Sequence, residues 1–404
     1  MPVKWTWTIV VLPLFACGLP DRSLGMAGET GGGDTGASTD EGIMPSGCTR
    51  ETSCDAGEAC VDGECVPVDV DIGFCPNTPT LDPVQLPEGL DGDVDRFLVA
   101  DLDHDGRDDF VLSRAPFTKG IQVVFGPGDT SVLNVDVPAP VQALLDVDDD
   151  GELDLVAAPD EGITVYPGKG DGTFGDPVLS DTIGHRARFG DIDGDGTVDV
   201  TTEDTPWVWV AYGDGAGKFA SGEGWQGFEE LVVPVVVDVV GDSRAEVVYL
   251  DQATRLVARE VASEKETQLG VAGGGESYWI GALEAAGDER LDLVAHHYDT
   301  GAHRALLTSW IRTDDGIEGP RHAEIAWETW MMAAGEIDAE PGTDLLLGGV
   351  ETLYLVFDAF GPDPCIVEYD QPEWPLGSLL DFDGDGRDEI IWTDQDEVQM
   401  AKLP

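Results

Sequence analysis

The chain has 404 residues, enough for one large domain or two to three smaller ones. It carries 81 Asp plus Glu against 21 Lys plus Arg, a formal net charge of -60, which argues against direct binding to nucleic acid or bare anionic lipid and makes cations the natural partners. With 42% hydrophobic residues and 11 Trp, this acidity is laid over ample core material, unlike a disordered acidic tail.

Met1 to Lys4 form a short basic start, and Trp5 to Phe15 an apolar run too short to span a membrane as a helix. Leu14-Phe15-Ala16-Cys17 then gives a small-residue cleavage site ending on cysteine, so 1–16 reads as a signal peptide. The tetrapeptide resembles the bacterial lipobox, with Phe15 bulkier than is usual there. That resemblance implies acyl chains on Cys17, and Gly18 in place of an aspartate lacks the usual inner-membrane retention signal. The expected location is extracytoplasmic, lipid-anchored to the cell envelope at the outer membrane or cell surface; an ordinary secretory signal with unmodified Cys17 is the alternative. Residues 17–47 contain Gly31-Gly32-Gly33, scattered Thr, Ser and Asp and almost no large apolar side chain. They cannot bury enough surface to fold and are expected to form a flexible tether.

Cys48, Cys54, Cys60 and Cys65 lie close together in 48–66, a segment with no core of its own. In an exported protein they read as two disulfides stapling a mini-module, with the pairing open. Zinc is disfavoured because no paired C-x-x-C occurs and the flanks are acidic.

From residue 76 to 404 the organising feature is a repeated acidic loop. It appears as Asp101, Asp103, Asp105, Gly106 and Asp109; as Asp146, Asp148, Asp150, Gly151 and Asp154; as Asp191, Asp193, Asp195, Gly196 and Asp199; and as Asp381, Asp383, Asp385, Gly386 and Glu389. Starts at 101, 146 and 191 are 45 residues apart, and continuing that period finds eroded counterparts beginning at Asp238, Glu284 and Glu336. Each of these seven units runs as a short apolar stretch, the acidic loop, a second run such as Asp109 to Ser113, a third such as Ile121 to Phe125, then a glycine-rich turn and a fourth extended piece. Short β-branched and aromatic runs between turn signals are strands, and no long stretch has a helical apolar period. Seven units of four strands predict an all-β, seven-bladed β-propeller.

The last unit has room for only two strands after Glu389. Leu81-Asp82-Pro83-Val84 matches the fourth strand of the second unit, Gly175-Asp176-Pro177-Val178, in sequence and in distance to the next loop, so the N-terminal segment is expected to complete blade seven. Cys75 then falls just before that strand and Cys365 at the start of the fourth strand of blade six, which predicts a disulfide locking the closure; two free thiols are the alternative.

Asp-x-Asp-x-Asp-Gly-x-x-Asp followed by a hydrophobic strand, with Tyr166-Pro-Gly-Lys-Gly-Asp-Gly-Thr-Phe174 and Tyr212-Gly-Asp-Gly-Ala-Gly-Lys-Phe219, resembles the FG-GAP or VCBS repeats of integrin α-subunit propellers and many bacterial surface proteins. The resemblance covers about 76 to 404 and implies calcium loops between the first and second strands of a blade. It carries no ligand with it.

In each intact loop the carboxylates at positions one, three, five and nine can converge on one hard cation once the glycine at six turns the backbone. An EF-hand would need a glutamate at position twelve, where this chain has Leu112, Ala157, Thr202 and Trp392. The ninth carboxylate is therefore assigned the closing role, with a backbone carbonyl from Arg107, Glu152, Thr197 or Arg387 at position seven. Ca2+ suits such a site better than magnesium, and plain solvated hairpins are the alternative, above all for the eroded loops.

No Gly-x-Ser-x-Gly elbow or His-Glu-x-x-His pair occurs. His296-His297-Tyr298-Asp299 with His303 is the only cluster suggestive of chemistry, and it is expected in an exposed polar loop between the second and third strands of blade five. Trp279, Trp330 and Trp374 are expected just before first strands, on the face away from the acidic loops. The function expected is a non-enzymatic module binding a protein or glycan partner through that face. A polysaccharide-active enzyme and a purely structural envelope protein are the alternatives.

Overall fold

The computed structural model describes residues 58–404 apart from 62–63, 91–92, 115–119, 128–131, 138, 160, 184–185, 205–206, 227–233, 251–254, 272–276, 284, 286–289, 300–303, 314–315, 326–328, 339, 341, 371–375 and 395–396. Cys17, Cys48, Cys54, His303 and Trp374 lie outside the described residues, as do the signal peptide and the tether.

Seven antiparallel sheets form a seven-bladed propeller. Blade one consists of Val94–Ala100, Asp109–Arg114, Ile121–Val124 and Val132–Val135, hydrogen-bonded in chain order, and the following blades repeat this meander. First strands of neighbouring blades lie side by side around the axis. Second strands read as unbroken apolar runs because each blade is covered on both faces by its neighbours; Phe110, Val111 and Leu112 are fully buried, as are Leu345, Leu346 and Leu347. The cores therefore lie between blades. Leu98, Val111 and Val123 meet Leu155 and Ala157 between blades one and two, and Phe97 and Phe110 meet Leu380 and Ile391 where blade one joins blade seven.

The expected closure is present: Asp82–Pro83 pairs antiparallel with the third strand of blade seven, Glu397–Lys402, with Lys402 opposite Asp82 and Ala401 opposite Pro83. A disulfide joins Cys75 to Cys365 across 290 residues of chain.

The segment before that strand does more than the sequence suggested. Val70–Asp71 adds a parallel fifth strand to blade five, and Gly73–Phe74 adds one to blade six, before the chain reaches blade seven. These pieces are too short to carry a strand signal, so only the fold reveals that the N-terminal strap crosses three successive blade edges. The hairpin Glu58–Val61 with Glu64–Pro67, which places Cys60 opposite Cys65, is tied to the same region: the buried Arg304 guanidinium pairs with Glu324 at 2.7 Å and donates to the Glu58 carbonyl at 2.5 Å. Cys65 is disulfide-bonded.

Candidate metal centre

In every blade the ninth residue of the acidic loop is also the first residue of the second strand: Asp109, Asp154, Asp199, Glu246, Asp292, Asp344 and Glu389. All seven carboxylates are buried, none more than 3% exposed. One oxygen accepts the N–H of the loop's second residue, from Leu102 to Asp109 at 2.9 Å, Val147 to Asp154 at 3.0 Å and Ile192 to Asp199 at 2.9 Å. The other accepts an N–H from the end of the third strand or just beyond it, from Gly126, Gly168 and Gly213 in the same three blades at 2.7–2.9 Å. The ninth acid thus fastens three strand ends through the backbone alone. Blades five and six, whose loops are eroded, keep the arrangement: Ala285 and Arg312 donate to Asp292, and Ile337 and Asp358 to Asp344. In blade four Val239 donates to Glu246.

The remaining positions shape the loop. Gly106, Gly151, Gly196 and Gly386 sit at φ between +85° and +90°, where a side chain is strained, and each donates its N–H to the first aspartate of its loop at 3.0 Å. The eroded blade-four loop keeps that bond from Ser243 to Asp238 at 3.1 Å, with Ser243 at φ +75°. Glu284 and Asp288 of the blade-five loop lie outside the described residues.

Three loops bring the first, third and ninth carboxylates together: Asp101, Asp103 and Asp109; Asp146, Asp148 and Asp154; Asp191, Asp193 and Asp199, with one oxygen from each within 4.8 Å of the others. The fifth-position Asp105, Asp150 and Asp195 stand outside these sets and instead accept the N–H of the seventh residue, Arg107, Glu152 or Thr197, at 2.8–3.0 Å. Blade seven differs: its converging set is Asp381, Asp383 and Asp385, without Glu389.

Burial raises the ninth carboxyls against the pull of their N–H donors, to about 7 for Asp109 and Glu389 and about 6 for Asp154 and Asp199, and neighbouring loop carboxylates add to the rise. Asp148 Oδ1 and Asp381 Oδ1 are buried with no hydrogen-bond partner among the described residues. Crowded like charges, orphaned carboxylate oxygens and a donor set made only of oxygen could hold a hard metal ion. Such an ion would neutralise the cluster and cross-link the loop.

The histidine cluster is not where the sequence placed it. His296 and His297 belong to the second strand of blade five, Asp292–Asp299, and both are buried; His296 Nε2 lies 3.1 Å from Thr329 Oγ1, and burial pushes the His296 imidazole down to about 4. The strand is longer than its apolar run because the polar pair is buried within the sheet. Trp279 and Trp330 lie within or at the start of first strands, Ser277–Leu283 and Trp330–Gly335, and their rings occupy the space above Gly281 and Gly348 that a Cβ would fill.

The exposed aromatic feature lies elsewhere. Trp207 and Trp209 on the third strand of blade three stack with ring centroids 5.7 Å apart and planes at 22°, and Trp207 is 41% exposed. Gly224 on the paired strand leaves room for Trp209, since a Cβ there would come within 2.3 Å of the indole. Trp207 opens the third strand, which places it on the face opposite the acidic loops. Nothing in the sequence alone marks Trp207 as exposed, since exposure depends on how the neighbouring strands cover it.

Residues 146–202, from the second acidic loop through the third, match the family model of the FG-GAP-like repeat. The chain is a seven-bladed propeller in which this stretch is similar to an FG-GAP-like repeat. No curated protein sequence matches significantly. Similar solved structures include an Agrocybe aegerita lectin described in specific recognition of non-reducing terminal N-acetylglucosamine, at 15% identity and TM-score 0.47 over 75% of this chain and 85% of that one. Others are BBS1N in complex with ARL6DN, at 10% identity and TM-score 0.49 over 81% and 96%, and the Photorhabdus luminescens Tc holotoxin pore, at 14% identity and TM-score 0.44 over 85% of this chain and 16% of that one. At these values the similarities carry nothing about what this chain binds or does.

Proposed function

We infer that this FG-GAP-like propeller is a non-enzymatic recognition module. Calcium at the intact acidic loops holds its shape, an N-terminal lipid anchor and tether display it outside the cytoplasm, and a protein or glycan partner binds the face opposite the loops. The observation that carries the recognition part is the stacked Trp207–Trp209 pair, because a large, rigid, half-exposed aromatic surface is suited to stacking on a sugar or peptide and is costly to leave in water without use. The acidic-loop face is by contrast tied up in backbone staples. Burial of His296 and His297 within the blade supports the non-enzymatic reading, since an enzymatic site in the His296 to His303 region would need them accessible.

Binding screens of the full protein against glycan and protein collections, with calcium and in EDTA, test this reading. The expected result is a ligand whose binding is lost in W207A at unchanged melting temperature. Binding that survives W207A, or a turnover assay that registers reaction on a bound polysaccharide, would contradict it.

A further inference from the structure

Blade seven ends the chain, and its third strand carries the one cation that reaches into an intact loop from outside that loop's own sequence among the described ion pairs within a blade. Lys402 Nζ forms a short ion pair with Asp383 and stands 3.8 Å from Asp385 Oδ2 and 3.9 Å from Glu389 Oε1. Its backbone sits opposite Asp82 of the closing strand, so the ring closure itself fixes where the ammonium points. In the same loop the converging carboxylates are the first, third and fifth, whereas the other three intact loops use the first, third and ninth.

We propose that Lys402 is the built-in counter-charge of the blade-seven loop, and that this loop is the weak member of the four cation sites. The inference rests on the calcium reading for the other three loops. Blade seven fits that reading less well, because a divalent ion must displace an ammonium already held by three of its carboxylates. The ammonium is an incomplete substitute, since Asp381 Oδ1 remains buried without a donor, so displacement at higher calcium concentration leaves the loop usable. One positive charge about 4 Å from the bound ion is enough to weaken binding about tenfold or more. The arrangement also answers a closure problem: the loop at the seam between the chain's two ends keeps a neutralising charge when calcium is scarce.

Two measurements on the full chain test this. Calcium titration by calorimetry should resolve three stronger sites and one at least about tenfold weaker in the wild type, and four comparable sites in K402M, which keeps the aliphatic stem. Melting in EDTA should show K402M less stable than wild type, because its loop has lost the cation that meets Asp383, Asp385 and Glu389 and keeps only Arg387, which pairs with Asp385, with the deficit removed by saturating calcium. Four equal sites in the wild type, or no gain in the fourth site of K402M, overturns the proposal while leaving the calcium reading intact. If neither protein binds calcium, the calcium reading fails and the EDTA melt decides on its own: an unchanged K402M overturns the role of Lys402 as counter-charge. K402R, which keeps the charge, should melt like wild type in EDTA; if it matches K402M instead, packing rather than charge is responsible and the proposal falls.

Discussion

Asp108 and Asp381, 273 residues apart, exchange two hydrogen bonds across the seam where blade seven meets blade one: Asp381 N–H donates to Asp108 Oδ2 at 2.9 Å, and Asp108 N–H to the Asp381 carbonyl at 3.0 Å. The same exchange recurs between blades six and seven, where Asp388 Oδ2 accepts from Glu336 N at 2.7 Å and Asp388 N donates to the Glu336 carbonyl at 2.6 Å. At these two junctions the eighth residue of one loop holds the first residue of the loop before it, linking the loops of blades six, seven and one.

The seam pair makes a prediction about charge. Burial first, then the neighbouring carboxylates Asp381 and Asp101, lift the Asp108 carboxyl to about 6 even though a backbone N–H opposes the rise. D108N keeps an acceptor and removes the charge, so in EDTA it should be neutral or stabilising. D108A leaves the Asp381 N–H without its partner and should cost about 1–3 kcal/mol in denaturant unfolding.

Ninth-position acids hold blades together whether or not a metal is present. D292A in blade five should destabilise by about 1–3 kcal/mol in calcium and in EDTA alike, because two partly buried N–H groups lose their acceptor. D193N in blade three should be felt chiefly in calcium, since Asp193 belongs to a converging set but fastens no second strand. Denaturation curves in the two buffers separate the roles.

Metal-free stability should fall with rising pH. Asp109 and Glu389 are held up to about 7 in the fold, above the ordinary carboxylate range of about 4. A carboxyl raised by folding favours the fold while protonated; that contribution is complete below the unfolded value and is lost as pH climbs through the folded one. His296, held down to about 4, works in the opposite sense, but its contribution is complete once the pH passes the ordinary histidine value of about 6.5. Between about pH 6.5 and 8 the melting temperature in EDTA should therefore decline, and saturating calcium should flatten the decline by supplying the counter-charge.

The Cys75–Cys365 bond secures a strap that crosses blades five, six and seven. The double variant C75S/C365S should lose about 2–4 kcal/mol, and limited proteolysis should cut first near the strap rather than within a blade.

Much of this was legible in the sequence because one short pattern recurs in register. The ninth acid, the glycine at six and the apolar run behind them are local, so blade number, strand order and the closing strand could be counted. Positions fixed by packing between distant segments were not legible. His296 and His297 look like loop residues beside Tyr298 and Asp299, yet the sheet extends through them and buries both. Val70–Asp71 and Gly73–Phe74 are two residues each, and only the neighbouring blade edges make them strands. Lys402 carries no motif at all, because its role depends on where ring closure places it.

Thermal melting of the full protein with calcium, after stripping with EDTA, and after adding back calcium or magnesium bears most directly on the acidic loops as structural cation sites. Stripping is expected to lower the melting temperature by at least about 5 °C, with full recovery in calcium and a smaller one in an equal concentration of magnesium. An identical melt in all four conditions would contradict the account and leave the loops as hydrogen-bonded hairpins.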